Sequence, residues 1–260
     1  MSPKKWSNKI AWILLLSLLV IGSQSITINA KETNNPIKIA QFKAPKVGAP
    51  AQTSGGGTRG VNKDKLLALI PESQVGLTTS KTPSFFVYVP ATKDKIKFTL
   101  TDQAQEKTFY EAELQPPSTS GIVSVNTDQM TKKIEDKLEV GKFYRWTFEI
   151  IHDASDASAN SKVMGWVQLV EPSKSLTGKL AKIKPNDKDL LMKRSRIYAE
   201  EGIWHEAIQD LITLRQQKPN DFKVNSAWKD LMRAVKLPKN VKSSDLAQAN
   251  VVECCKPTQN

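Results

Sequence analysis

The chain has 260 residues, 39% of them hydrophobic, and carries 38 Lys and Arg against 26 Asp and Glu, a formal charge of +12. That length supports one medium domain and a smaller one. Its 2 Cys and 2 His exclude a core held by a disulfide frame, and the basic excess favours anionic partners such as envelope polysaccharide, lipid headgroups or acidic proteins.

Residues 1–30 read as a secretory signal peptide. Lys4, Lys5 and Lys9 form a charged start, the apolar run Ile10 to Ile21 follows, and small residues offer cleavage after Ser25 or Ala30. The run is shorter than the roughly 20 residues of a spanning helix, and the alternative is retention as an uncleaved anchor. No Cys stands at a lipobox position. The expected location is the periplasm or cell envelope, with the extracellular space as a further destination, where ATP, NAD and nucleic acid are not the partners. Removing residues 1–30 takes three lysines and no acids, leaving 35 basic against 26 acidic residues.

Residues 31–64 carry Pro36, Pro45, Pro50 and Ser54-Gly-Gly-Gly-Thr-Arg-Gly60, with too little apolar content for a core. They are expected to be a flexible linker. Gly55-Gly56-Gly57 is not a phosphate loop, because no Lys-Ser/Thr follows and no helix pattern opens there.

Residues 65–172 turn to period two. Strands are predicted at Leu66–Ile70, Val75–Thr79, Ser84–Val89, Ile96–Thr101, Thr108–Leu114, Gly121–Val125, Tyr144–Ile151 and Lys162–Val170, rich in β-branched and aromatic residues. Short strands in series without intervening helices predict an antiparallel, immunoglobulin-like β-sandwich. Leu138-x-x-Gly141-x-x-Tyr144-x-Trp146-x-Phe148 resembles the corner entering one strand of such sandwiches, where Gly bends the chain and the Tyr hydroxyl bonds back to nearby backbone. Tyr144, Trp146, Phe148 and Ile150 then share one face, read as core. In Val163 to Val170 both faces are partly apolar, which predicts cover by another element.

A basic hinge is expected over residues 173–186. From Lys174 to Arg196 eight basic residues (among them Lys174, Lys179, Lys182, Lys184, Arg194 and Arg196) face only Asp187 and Asp189. A solvated surface and a binding site explain this run about equally. A small all-α helical module follows over residues 187–237. Leu191, Tyr198, Gly202, Ala207, Leu211, Leu214 and Pro219 occupy the positions of one tetratricopeptide-like hairpin. Gly202 ends its first helix in a left-handed turn, and Ala207 permits close helix approach. A third helix is expected with Phe222, Ala227, Leu231 and Val235 on its apolar face. One repeat cannot form the concave groove of an array, so the hairpin is expected to pack against the sandwich. Trp204 either fills the interhelix core or, if exposed beside the basic run, anchors a protein partner. Residues 238–260 read as a flexible tail holding Cys254 and Cys255, for which a strained vicinal bridge, an intermolecular link and free thiols all stand open.

Catalytic signals are sparse. His152 and His205 fall in different modules, no His-Glu-x-x-His or Gly-x-Ser-x-Gly pattern occurs, and no metal or cofactor is implied.

Gly55-Gly-Gly-Thr-Arg-Gly60, Leu69-Ile-Pro71, Phe86-x-Tyr88-Val-Pro90, Gly121-Ile-Val-Ser124, Leu138-Glu-Val-Gly-Lys-x-Tyr-Arg-Trp146, Gly165-Trp-Val-Gln168 and Gly202-Ile-Trp-x-Glu-Ala207 follow one another in order. This series resembles a cyanobacterial family of exported proteins known as domain of unknown function 928, over roughly Gly55 to Leu237. The resemblance implies the same layout and an envelope setting, and no activity. It also implies a Cys after Thr-Arg-Gly and another ending the Tyr-Arg-Trp strand. This chain departs at both places, near Asn62 and at His152, which implies that the fold tolerates loss of that bridge.

The expectation is therefore a non-catalytic exported protein that contacts another exported or envelope protein or plays a structural role. The candidate surface is Lys174, Lys179, Lys182, Lys184, Arg194, Arg196 and Trp204. Binding of an anionic glycan or lipid surface through the basic hinge is the alternative, and a hydrolase comes third.

Overall fold

The computed structural model describes residues 42–50, 65–130, 138–235, 237, 241 and 243–254. The expected signal peptide lies outside the described residues, as does Cys255. Ile37–Asn260 forms one compact unit. Among the described residues no helix is long and apolar enough to cross a membrane.

Among the described residues eight strands form where period two predicts them: β1 (Leu67–Ala68), β2 (Val75–Thr78), β3 (Ser84–Val89), β4 (Lys95–Asp102), β5 (Thr108–Leu114), β6 (Gly121–Asn126), β7 (Phe143–Ile151) and β8 (Ser161–Leu169). They build a three-stranded sheet ordered β1-β3-β6 and a five-stranded sheet ordered β2-β8-β7-β4-β5. The wholly antiparallel arrangement expected from sequence requires correction, because β2 runs parallel to β8, pairing Val75 with Trp166 and Thr78 with Leu169. Alternation identifies a strand but carries no information on its neighbour's direction.

The alternation of β7 divides its side chains. Tyr144, Trp146, Phe148 and Ile150 are buried, while Arg145, Thr147 and Glu149 turn to the other face. The buried set joins Phe85, Val87, Val123 and Val125 of the small sheet in one cluster, so the two sheets share a core. Phe85 centres it, with its ring 5.1 Å from Phe98 and 5.5 Å from Trp146. Each such aromatic contributes about 1.5–3 kcal/mol by leaving water. Gly165 lies opposite Trp146, where a Cβ would stand 2.7 Å from the indole. The predicted corner also forms. Gly141 has φ +82°, and the Glu139 N–H donates to the Tyr144 hydroxyl at 2.8 Å.

The opposite faces of the small sheet and of β2–β8 meet helices. After a short helix α1 (Thr127–Met130) come α2 (Lys174–Leu180), α3 (Leu190–Glu200), α4 (Trp204–Gln217), α5 (Phe222–Met232) and α6 (Ser243–Gln248). Phe86, Ile122, Val75 and Trp166 pack in a second cluster with Trp204, Ile208, Leu211 and Trp228. Of the two partly apolar faces of β8, the one that carries Trp166 lies under the helices.

Four local expectations need correction. The basic hinge contains α2, because Ser173 accepts the Leu176 N–H and caps it. The linker is pinned over residues 42–50: Phe42 is buried with its ring edge on Trp204 at 5.0 Å, and the Lys43 N–H donates to Ala199 O. The tail is anchored by Leu246, 1% exposed, and by an isolated parallel bridge between Val251 and Ile122. Phe222, assigned to the apolar face of the third helix, is 80% exposed at the start of α5, whose buried face is Val224, Ala227, Trp228, Leu231 and Met232.

Candidate functional site

The polar chemistry of this chain concentrates at the first turn of α4, where three consecutive residues each reach a different part of the sheets. Gly202, at φ +76°, releases the chain from α3 into this turn. Its missing side chain also admits the Lys43 carbonyl, which would stand 2.8 Å from a Cβ. The Trp204 indole N–H donates to Leu69 O at 3.0 Å. The His205 Nδ1–H donates to Ser84 O at 2.8 Å, with its ring edge on Phe85. Glu206 Oε1 accepts from the Thr78 hydroxyl, the Thr79 hydroxyl and N–H, and the Ser80 N–H, all at 2.8–2.9 Å.

Burial holds His205 below its ordinary value of 6.5, so its imidazole is neutral and fixed in one tautomer by the Ser84 carbonyl. Its Nε2 faces Gly76, where a Cβ would come within 2.5 Å. One turn further on, burial pushes the Asp210 carboxyl from an ordinary 3.8 up to about 7, against the opposing pull of Arg194. The Arg194 Nε lies 3.2 Å from Asp210 Oδ2, and its guanidinium stands over the Tyr198 ring. These residues fasten helices to sheets and to one another. None presents an exposed nucleophile.

Trp204 therefore leaves the predicted interaction surface. It is 1% exposed, because the slot between β1, Phe42 and the helices satisfies both its apolar body and its N–H. The cations of the candidate surface divide into two groups. Lys179 pairs with Glu201 at 2.7 Å and Glu200 at 3.5 Å, which raises its own pKa, and Arg194 is engaged with Asp210. Arg196 is half-buried on α3. Lys174, Lys182 and Lys184, together with Lys188, are exposed and make no ion pair with a described residue. They lie along α2 and the connection to α3. Sequence reasoning missed Glu206 and Phe42, because a carboxylate accepting from a distant strand end and one aromatic in a polar stretch leave no local periodicity.

A second constellation is visible only in three dimensions. His152 Nδ1 lies 2.6 Å from Asp94 Oδ2, and its Nε2 lies 3.1 Å from the Ser161 hydroxyl. That connectivity is the one used to activate a serine nucleophile. Here Ser161 is only 2% exposed while the Asp94 side chain is 42% exposed, the reverse of an accessible nucleophile behind a sheltered acid. The trio ties the turn before β4 to the ends of β7 and β8. Among the described residues no three His, Cys, Asp or Glu converge as metal ligands. An open groove of about 620 Å³ lies beside the tyrosine corner, lined by Asp102, Lys107, Phe109, Glu139, Lys142 and Phe143 among others. Its charges balance, and Lys142 and Glu139 of its lining pair with each other at 2.8 Å.

The family model described as Domain of Unknown Function (DUF928) matches residues 54–246. No curated protein and no solved structure matches the chain.

Proposed function

The chain belongs to the family described as Domain of Unknown Function (DUF928), and on that premise we propose that it is a non-catalytic exported protein acting through protein–protein contact in the cell envelope or periplasm. In this reading the source is cyanobacterial, the two sheets are an immunoglobulin-like sandwich, and α3 with α4 is a tetratricopeptide-like hairpin used as a fixed platform. The observation that carries it is the contrast between consumed and spare polar groups. Trp204, His205 and Glu206 are spent on holding the platform, whereas Lys174, Lys182, Lys184 and Lys188 stand exposed without a described ion-pair partner. A row of exposed cations on a rigid support fits an acidic protein surface.

The test is affinity capture from the envelope extract of the producing cells, comparing the chain with its Lys182→Glu/Lys184→Glu/Lys188→Glu variant. The reading expects one defined protein partner, identified by mass spectrometry, that the variant no longer retains. Equal recovery by both proteins contradicts it. A second reading, attachment to an anionic glycan or lipid surface, draws on the same lysines. It expects polysaccharide or lipid in the captured fraction, released steeply as salt rises.

A further inference from the structure

Cys254 is disulfide-bonded, and no free cysteine stands among the described residues. The sequence holds 2 Cys, and the other is its immediate neighbour, Cys255. Of the three states open from sequence, a bridge between neighbours is the one that satisfies both facts.

The sulfur of Cys254 is seated against the folded body. Two residues earlier the Val252 N–H donates to Ile122 O at 2.9 Å, and the Val252 side chain lies where a Cβ on Gly121 would come within 2.6 Å. Cys254 is half-buried and packs on the cluster between the sheets, while Glu253 beside it is exposed. Its Sγ lies 3.2 Å from the carbonyl oxygen of Gln115, the residue that follows β5. In a disulfide that sulfur carries no hydrogen and only packs there. As a thiol it donates to the same oxygen. The seat therefore accommodates both redox states.

Adjacency makes the bridge easy to open. Neighbouring Cα atoms stand about 3.8 Å apart at most, whereas an unstrained disulfide spans about 4.4–6.8 Å. Strained and accessible disulfides are the labile ones, in contrast to structural bridges that resist glutathione.

We propose that Cys254 and Cys255 form a vicinal disulfide that opens and closes by exchange with thiols, a redox-modification site at the end of the C-terminal segment. A thiolate of the reductant attacks one sulfur to give a mixed disulfide, and the other sulfur leaves as thiolate and takes a proton. A second thiol then displaces the mixed disulfide. The pair gains two electrons and two protons, and the two reductant thiols become one disulfide; a disulfide oxidant reverses the step.

The test uses the full chain under native conditions, alkylated with a maleimide before and after incubation with reduced glutathione, and read by intact mass. No alkyl group before and two per chain after are expected, with the two lost again when oxidised glutathione is added before alkylation. The Cys254→Ser chain should take one alkyl group without any reductant. Alkylation of the untreated chain overturns the proposal, and so does a disulfide-linked dimer. Resistance to glutathione until the chain is unfolded overturns it as well.

Discussion

Gly76 and His205 are fitted to each other: the imidazole Nε2 occupies the space in which a Cβ on residue 76 would lie, 2.5 Å away. The contact explains how α4 comes so close to β2, the parallel edge strand of the larger sheet. Gly76→Ala should therefore destabilise the fold by about 1–3 kcal/mol through overpacking, although alanine ordinarily suits a strand better than glycine. Urea unfolding measures it. Unchanged stability would mean that the helix yields more readily than the three-residue clamp implies.

Glu206 offers a graded test of that clamp. Glu206→Ala leaves the Thr78, Thr79 and Ser80 donors without their acceptor, and should cost about 2–4 kcal/mol, since hydrogen bonds to a charged group are worth roughly 1.5–3 kcal/mol. Glu206→Gln keeps one carbonyl oxygen in place and should cost clearly less. Equal losses in the two variants would assign the effect to the negative charge of the carboxylate instead of to the placement of one acceptor oxygen.

The two buried titratable groups of α4 should oppose each other with pH. Asp210 titrates at about 7 in the folded chain against an ordinary 3.8, so the folded state holds the extra proton between those values. Its contribution is complete below about 3.8 and is lost as pH rises through about 7. His205 is held below its ordinary 6.5, so its contribution is present above about 6.5 and is lost as pH falls. Asp210→Asn should remove the first trend alone. Stability of that variant, followed by urea unfolding from about pH 4 to about pH 8, should then rise with pH toward about 6.5 more steeply than in the parent chain. A parallel profile would contradict the burial argument for Asp210.

The Asp94–His152–Ser161 trio separates a binding protein from a hydrolase. With Ser161 2% exposed, the chain should give no burst with activated esters, and Ser161→Ala should leave the background rate unchanged. A burst that Ser161→Ala abolishes would overturn the non-catalytic reading.

The strands and the tyrosine corner were legible because their causes are local. Alternation placed Tyr144, Trp146, Phe148 and Ile150 on one face, and Gly141 three residues before Tyr144 marked the bend. What escaped depends on partners far along the chain. Phe42 meets Trp204, Val251 meets Ile122, and Glu206 meets Thr78, and none of these leaves a pattern in its own neighbourhood. The same holds for the candidate surface. The basic run was visible, but the assignment of Lys179 to Glu201, of Arg194 to Asp210 and of Trp204 to the interior required the packing of α2, α3 and α4.

Cross-linking mass spectrometry on the captured partner complex bears most directly on the claim that the exposed lysines are the contact surface. Partner cross-links should concentrate on Lys174, Lys182, Lys184 and Lys188. Cross-links confined to Lys95, Lys97 and Lys107 on the β4–β5 hairpin, with those four unlabelled by partner, would contradict it.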